Sequence, residues 1–553
     1  WLKPFVALLL SLSLHPTCRD SCFIFAAMLA PARAIGKRLG NVARASVRYC
    51  SSEETVAAAS AASSVLASPN FKEVKFVKED LNAVMSELPE FNFYEMKAPE
   101  ENPYKGLTMD RSILLSKPPE PKRVAPSVEF SKLENGLKIA SIDKQGLTAS
   151  LGLFVSAGSR YETSANFGVS HMVELMAYKS TAHLSHLRTA KTLEQLGAQH
   201  TSTCKAGRED IVYQVDVMRE FVPLVVPLLV GNVLFPRLLP WEVKASVSKV
   251  KDAKAALQAD PDAMINELLH KAAFCNNTLG QSPLATDRSV PYFTPETIRS
   301  YMLDHFAPER MVLVGVNVAH DELSKWAMRS FADYNAIPMK DRPDTKALYT
   351  GGDVRMDGAS PYCHLAIGFE SMAWGKSGLA AVSLLQAILG GGSATGNSIG
   401  GGLSSRLQNE VVKESPYVES CSAFNTSYSD TGLFGVYSVV APDKAGDVCH
   451  SVLSTLKGLS SITEDELSTA KAVLKGSLAR QVDDAGSLMK DLGTQLLMSG
   501  RYGSPADFAG AIDKVSADEV TSVARQLLSS KPSVAAYGDT HTVPHYSAIE
   551  GGL

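Results

Sequence analysis

The chain has 553 residues, 45% hydrophobic and 20% charged, a composition typical of globular proteins and a length too great for one ordinary core. No apolar run reaches the roughly 18 residues that a membrane-crossing helix needs. The formal net charge of -4 averages two unlike parts: residues 1–52 hold seven Lys/Arg against one acid, Asp20, which leaves 47 basic and 57 acidic residues in the remainder. That remainder points away from nucleic acid and would attract a cationic peptide, although charge kept for solubility explains it equally well.

The first segment is basic. The chain opens on Trp1, and Met28 is the expected translation start. Residues 5–14 have the look of a short signal-peptide core, interrupted by His15 and Pro16. From Met28 onward come Arg33, Lys37, Arg38, Arg44 and Arg48, with no acid before Glu53. That is the pattern of a mitochondrial transit peptide, so residues 1–50 are read as a leader cut near Arg48-Tyr49-Cys50-Ser51. A secretory signal would imply an oxidising destination. The five cysteines beyond the leader, Cys204, Cys275, Cys363, Cys421 and Cys449, are scattered and odd in number. They make no disulfide framework and suit reduced thiols.

Residues 51–127 read as an N-terminal extension, with a helix expected over 71–88 and a proline-rich end that stops long helices. Beyond it the pattern predicts strands at 137–143, 150–156, 211–217 and 311–318, and helices at 167–178, 221–230 and 241–270. The segment 335–343, with two prolines, reads as a linker. A second series follows: strand 363–370, helices 379–389 and 403–412, strands 418–423 and 433–440, helices 443–456, 464–482, 485–497 and 517–528, and strand 533–537. The second series repeats the order of the first. Strands joined largely by hairpins and mixed with helices imply an α+β class. The domain reading is 128–335 and 351–545, joined by a linker at 336–350.

Two stretches carry chemistry. The first, residues 168–181, reads G-V-S-H-M-V-E-L-M-A-Y-K-S-T. Helical positions i and i+4 share a face, so His171 and Leu175 lie together with Glu174 between them. His183 and His186, spaced i, i+3 without acidic or cysteine neighbours, read as a polar face rather than a ligand pair. The second stretch, residues 390–402, reads G-G-G-S-A-T-G-N-S-I-G-G-G, seven glycines in thirteen residues. Such a run is costly to order and lets another chain approach its backbone closely. It is either a flexible connector or a surface loop that carries function. It is no phosphate loop, because Asn397 stands where a P-loop needs Lys. Nearby charges are Arg406, Glu410, Glu414 and Asp430. Their carboxylates could meet arginines of a cationic peptide, but each alone reads more simply as a solvated surface charge.

The glycine run, the preceding L-L-Q-A-I-L and the later A-F-N-T-S-Y-S-D-T-G-L-F-G-V-Y (423–437) together resemble the alpha-type, non-catalytic members of the pitrilysin-like metallopeptidase family, subunits of mitochondrial processing peptidases. The resemblance covers about residues 128–540. It implies two homologous clamshell-half domains. Residues 168–181 resemble the family's zinc helix, with motif H-x-x-E-H. There His171 and Glu174 are retained, but Leu175 replaces the second histidine. The segment 267–280 resembles the one that follows the family's metal-binding glutamate, and this register puts Ala263 at that glutamate and Ala256 at a further acid. Glu267 is the one substitute in reach. A catalytic zinc normally has three protein ligands plus water, so no metal, no cofactor and no catalytic residue are expected. The resemblance implies that the loop, through Gly390, Gly391, Gly392, Ser393, Gly396, Gly400, Gly401 and Gly402, contacts presequences of imported precursors, which a zinc-bearing beta subunit cuts. It also implies a second setting, the matrix-side core of respiratory complex III, with cytochrome b and cytochrome c1 as partners. A free metallopeptidase with rearranged ligands is the third reading, opposed by Leu175 and Ala263.

Overall fold

The computed structural model describes residues 71–74, 127–198, 200–332, 345–376, 378–393 and 405–552. The leader, most of the extension, the predicted linker at 335–343 and loop residues 394–404 lie outside the described residues.

Two sheets organise the chain. The first contains β1 (Lys72–Val74), β2 (Val128–Leu133), β3 (Lys138–Ile142), β4 (Thr148–Val155), β5 (Thr203–Ala206), β6 (Ile211–Met218) and β7 (Met311–Val316), in the order β1-β2-β3-β7-β4-β6-β5. The second contains β8 (Gly352–Asp357), β9 (Cys363–Ser371), β10 (Gly391–Ser393), β11 (Val418–Ser427), β12 (Gly432–Val440) and β13 (Ser533–Gly538), in the order β10-β11-β12-β9-β13-β8. The wiring is the same in both. In each half the last strand inserts between two earlier ones and pairs parallel with one of them, β7 with β3 and β13 with β8. It pairs antiparallel with the next strand, β4 or β9. The repeat of element order seen in the sequence is therefore a repeat of topology.

Both inserted strands read as apolar runs, M-V-L-V-G-V and S-V-A-A-Y-G, and all their residues are buried. A strand buried throughout needs cover on both faces, and here the two covers come from different halves. On one face of the first sheet, Leu151, Leu153, Val155 and Leu313 join the core of their own half. On the other face, Ala140, Phe154, Val312, Val314 and Val316 pack against Leu488, Met489, Leu492 and Leu496 of the helix Ala485–Ser499. The second sheet mirrors this. Leu365, Ile367 and Phe369 face their own half. Ala366, Ala535 and Tyr537 meet Ile265, Leu268, Leu269 and Phe274 of the helix Pro261–Phe274. Each half thus lends one helix to the other's sheet.

The same local chemistry launches both helices. A 20-residue helix, Pro240–Ala259 or Glu464–Asp483, ends at an aspartate. Asp260 accepts from the N–H groups of Asp262 and Ala263, and Asp484 from that of Ser487, so each caps the next helix. Asp260 is extended and is followed by Pro261, which suits a first helical turn. The single helix expected over 241–270 is therefore two. Small residues let the borrowed helix approach closely. A Cβ on Gly493 would stand 2.1 Å from the Phe154 ring, and one on Gly152 would stand 2.2 Å from Met489 Sδ.

Other expectations are corrected. Of the helix expected over 71–88, residues 75–88 lie outside the described residues, and Lys72–Val74 is a strand that pairs with Ser131–Leu133 while Phe71 sits edge-on to Phe130 at 5.7 Å. The short strands β5, β8 and β10 and the helices His186–Gln195, Pro295–His305, His320–Phe331 and Pro505–Lys514 were not predicted. The segment predicted as helix 403–412 contains a π-helical turn at Gln408–Val412.

Candidate functional site

The helix that carries His171 and Glu174 spans Val169–Leu175 and is only seven residues long. Its N-cap, Gly168, has φ 81° and offers no side chain, and a Cβ there would meet Ala285 Cα at 2.5 Å. A buried carboxylate supplies the cap instead. Glu162 accepts from Gly168 N–H (2.7 Å), Ser170 N–H (2.8 Å) and Ser170 Oγ–H (2.5 Å). Burial pushes its pKa up to about 7, although these three bonds favour the charged form.

The motif side chains turn to the protein's own backbone. His171 is buried, and its Nδ1 accepts from Ala285 N–H at 3.4 Å. Burial lowers its pKa to about 4, so the ring is neutral near pH 7. Glu174 is half-buried and accepts from Ala206 N–H on β5 at 3.0 Å. Burial raises its pKa, against that bond and Lys205. Leu175 ends the helix and packs on the first hydrophobic core. Alongside runs the helix Pro240–Ala259, whose Ser246 donates to Met176 Sδ (3.4 Å) and whose Glu242 accepts from Ser180 Oγ (2.6 Å). Ala263 lies on the following helix, in its first turn, bonded to its own cap Asp260. Glu267 is engaged by Arg208, Nη2 to Oε1, at 2.9 Å. Among the described residues, no group of three or more His, Cys, Asp or Glu side chains converges. The donor set does not fit a zinc ion, because one ring nitrogen of His171 is occupied by backbone and the i+4 position is aliphatic. His183 lies against the Phe235 ring, and His186 opens the next helix with Nδ1 3.2 Å from the Tyr178 carbonyl.

At the glycine-rich stretch the described part is its start. Gly390 ends the helix Leu379–Leu389 with φ 57° and ψ −121°, a conformation that needs glycine. Its carbonyl accepts from Ala423 N–H at 2.9 Å. Gly391, Gly392 and Ser393 form β10, the edge of the second sheet, paired with Ser422, Cys421 and Ser420. Gly396, Gly400, Gly401 and Gly402 lie outside the described residues. Of the charges near the loop, Arg406 grips Glu466 with two bonds, 2.8 and 2.9 Å, and donates to the Gly458 and Ser461 carbonyls. Glu410 and Glu414 are exposed.

Asp430 is the main correction. Rather than a solvated surface charge, it is the partner of a buried internal cation, Arg160, in a cluster that joins the halves. Arg160 is 6% exposed. It donates to Asp430 twice (2.9 and 2.5 Å), to Glu209, to Ser429 Oγ (3.1 Å) and to the Thr345 carbonyl (3.0 Å). Glu209 in turn accepts from Ser429 N–H and Oγ–H, and Asp430 from Ala347 N–H. Beside this cluster, His270 Nε2 and Tyr428 Oη lie 2.7 Å apart. The Arg160 guanidinium holds the Asp430 carboxyl below its usual range despite burial, which opposes it. So Y-S-D-T, the tip of the β11–β12 hairpin, is a plug seated in the first half. Sequence reasoning missed its sockets, G-S-R-Y-E (158–162) and G-R-E-D (207–210). The signal was there, since both are charged runs beside glycine flanking apolar strands.

Residues 138–287 match the family described as "Insulinase (Peptidase family M16)", and residues 292–474 match "Peptidase M16 inactive domain". The mitochondrial-processing peptidase subunit alpha of Solanum tuberosum is 33% identical over 439 residues, 78% of this chain and 86% of that protein. The chain belongs to peptidase family M16. Another relative, the mitochondrial cytochrome b-c1 complex subunit 2 of Mus musculus, is 32% identical over 75% of this chain and 91% of its own length. Among solved structures, a chain of "Complex III2 from Candida albicans, Inz-5 bound" superimposes with a TM-score of 0.67 at 22% identity, covering 77% of this chain and 99% of that one. It shares the M16 two-half fold.

Proposed function

We propose that this M16 chain is a non-catalytic, alpha-type subunit of a mitochondrial processing peptidase. It binds basic presequences through residues 390–402 and presents them to a zinc-bearing beta subunit in the mitochondrial matrix. The observation that carries the reading is the state of the degenerate helix. His171 is buried against the Ala285 N–H, Leu175 packs against a core, and Glu174 is bonded to backbone. This arrangement leaves no second imidazole on the helix face to hold a zinc-bound water, which supports the reading. The similarity to the potato alpha subunit supports the assignment.

The test is a cleavage assay with the chain alone, its beta partner alone, and the pair, on a basic presequence. The expected result is cleavage by the pair only, weakened when residues 390–402 are deleted. Cleavage by the lone chain overturns the reading. Leu175→His alone is expected to give no lone-chain activity, because it supplies an imidazole without a third ligand.

A second reading is a core subunit of cytochrome bc1, with cytochrome b and cytochrome c1 as neighbours, favoured by the likeness to the mouse complex subunit. The two duties are compatible. Co-purification with haem-bearing partners, together with no effect of the loop deletion on processing, favours the scaffold alone.

A further inference from the structure

One end of the first half carries two large apolar side chains in open solvent, Leu187 (79% exposed) and Trp241 (67% exposed). They lie near the starts of two helices, His186–Gln195 and Pro240–Ala259, which one serine stitches together. Ser180 Oγ–H donates to Glu242 (2.6 Å) and accepts from His186 N–H (3.1 Å), and the Ser180 carbonyl accepts from Arg237 N–H (2.9 Å). Leu187 follows His186 and Trp241 precedes Glu242 in the chain, so the backbones of both lie beside that stitch. Cations lie on the same two helices and the segments that lead into them. Lys244 is three residues after Trp241 and Lys191 four after Leu187, each on its neighbour's helical face. Lys191, Arg237, Lys244 and Lys249 are all exposed. Lys179 lies near Lys249, whose charge, with burial, lowers the Lys179 pKa, while Glu242 opposes. Of the acids here, Glu242 is held by Ser180, and Glu194 lies one turn beyond Lys191.

We propose that this end of the molecule is a contact surface for an anionic phospholipid bilayer, with Trp241 and Leu187 entering the headgroup boundary and these lysines and Arg237 meeting lipid phosphates. Indole rings favour the interface, since one edge is polar and the rest apolar. Basic side chains near a charged leaflet add attraction one by one, within a Debye length. Two apolar anchors are too few for the core of a standard protein interface, which buries on the order of 800 Å² per partner. They suffice for reversible adsorption assisted by charge. No described helix is long and apolar enough to cross a membrane, so such contact would be peripheral. The proposal is independent of presequence binding.

The test is sedimentation of the purified full chain with phosphatidylcholine vesicles, with and without phosphatidylglycerol, at low and high salt. Binding is expected only to the anionic vesicles, with loss at high salt. A blue shift of indole emission should vanish in Trp241→Phe. The pair Lys244→Glu and Lys249→Glu should weaken binding about tenfold or more. The pair Leu187→Ser and Trp241→Ser should weaken it about fivefold or more. Circular dichroism checks that each variant is folded, and presequence processing by the heterodimer in lipid-free buffer should be unchanged in both. No binding by the unaltered chain, equal binding to neutral vesicles, or variants that bind like it overturn the proposal. Loss of the beta partner from either double variant also overturns it, in favour of an acidic protein surface.

Discussion

The degenerate helix and the hairpin tip are both polar and both spelled out in recognisable motifs, yet their polar groups are satisfied in opposite ways. In the helix region each side chain bonds to backbone of its own half: Glu162 to Gly168 and Ser170, His171 to Ala285, Glu174 to Ala206. At the hairpin tip, the Arg160 guanidinium reaches across the halves, to the Ser429 hydroxyl over 269 residues and to the Asp430 carboxylate over 270. Motif residues can serve as struts within their own half. A joint between halves needs charges that find each other only in the folded state.

The sharpest way to break this comparison is at the joint. Arg160→Met strands two carboxylates, and breaking a buried pair from one side costs about 3–5 kcal/mol. Chemical denaturation should show that loss, and adding Glu209→Gln and Asp430→Asn should recover part of it. If Arg160→Met is neutral, the cluster is not what holds the halves. The borrowed helix comes next. Leu492→Ala removes a fully buried side chain from the face shared with Phe154 and Val314, at about 2–5 kcal/mol. Its signature would be a lowered single transition rather than early melting of one half. Gly390→Ala is smaller, about 1–3 kcal/mol for an alanine forced to positive φ, with the added approach of Ser405 Cβ at 2.5 Å. Thermal melts would register it.

The finest probe is pH, because the two buried groups of the helix region titrate in opposition. Glu162 has its folded pKa raised to about 7, so its contribution is full below its ordinary value of 4.5 and is lost as pH rises through about 7. His171 is depressed to about 4, so its contribution is full above its ordinary 6.5 and is lost as pH falls through about 4. Between these limits they offset one another. Glu162→Gln should therefore make stability fall more steeply on acidification from pH 7 to 4, and His171→Asn should make it fall less steeply. Denaturation midpoints across that range check both signs.

How much of this was legible in the sequence depended on whether the signal was local. Periodicity gave the long helices and central strands, because M-V-L-V-G-V or L-A-A-V-S-L-L-Q-A-I-L announces burial wherever it sits. Short edge strands such as β5 and β10 carry too few residues to show a period. The break at Asp260 was readable as an aspartate before proline, yet apolar spacing on both sides masked it. At the candidate site the retained His171 and Glu174 and the aliphatic Leu175 were plain, and so was glycine at 390. The roles of Asp430 and Arg406 were not. Each finds its partner dozens or hundreds of residues away, and no local pattern reports that. The register that reached Ala263 rested on similarity alone, while the helix that runs beside the His171 segment is the one before it.

The exchange of the Pro261–Phe274 and Ala485–Ser499 helices has a practical corollary for anyone dissecting the polypeptide. Cutting the chain between residues 333 and 344 would not release two separable bodies, because each fragment would still be clasped by a piece of the other. Expressing only the front portion would bare Phe154, Val312 and Val314 to water and leave the Leu268–Leu269 ridge without a bed. A ribosome that has finished the first sheet must therefore wait for some hundred and seventy further residues before that sheet's second face is roofed.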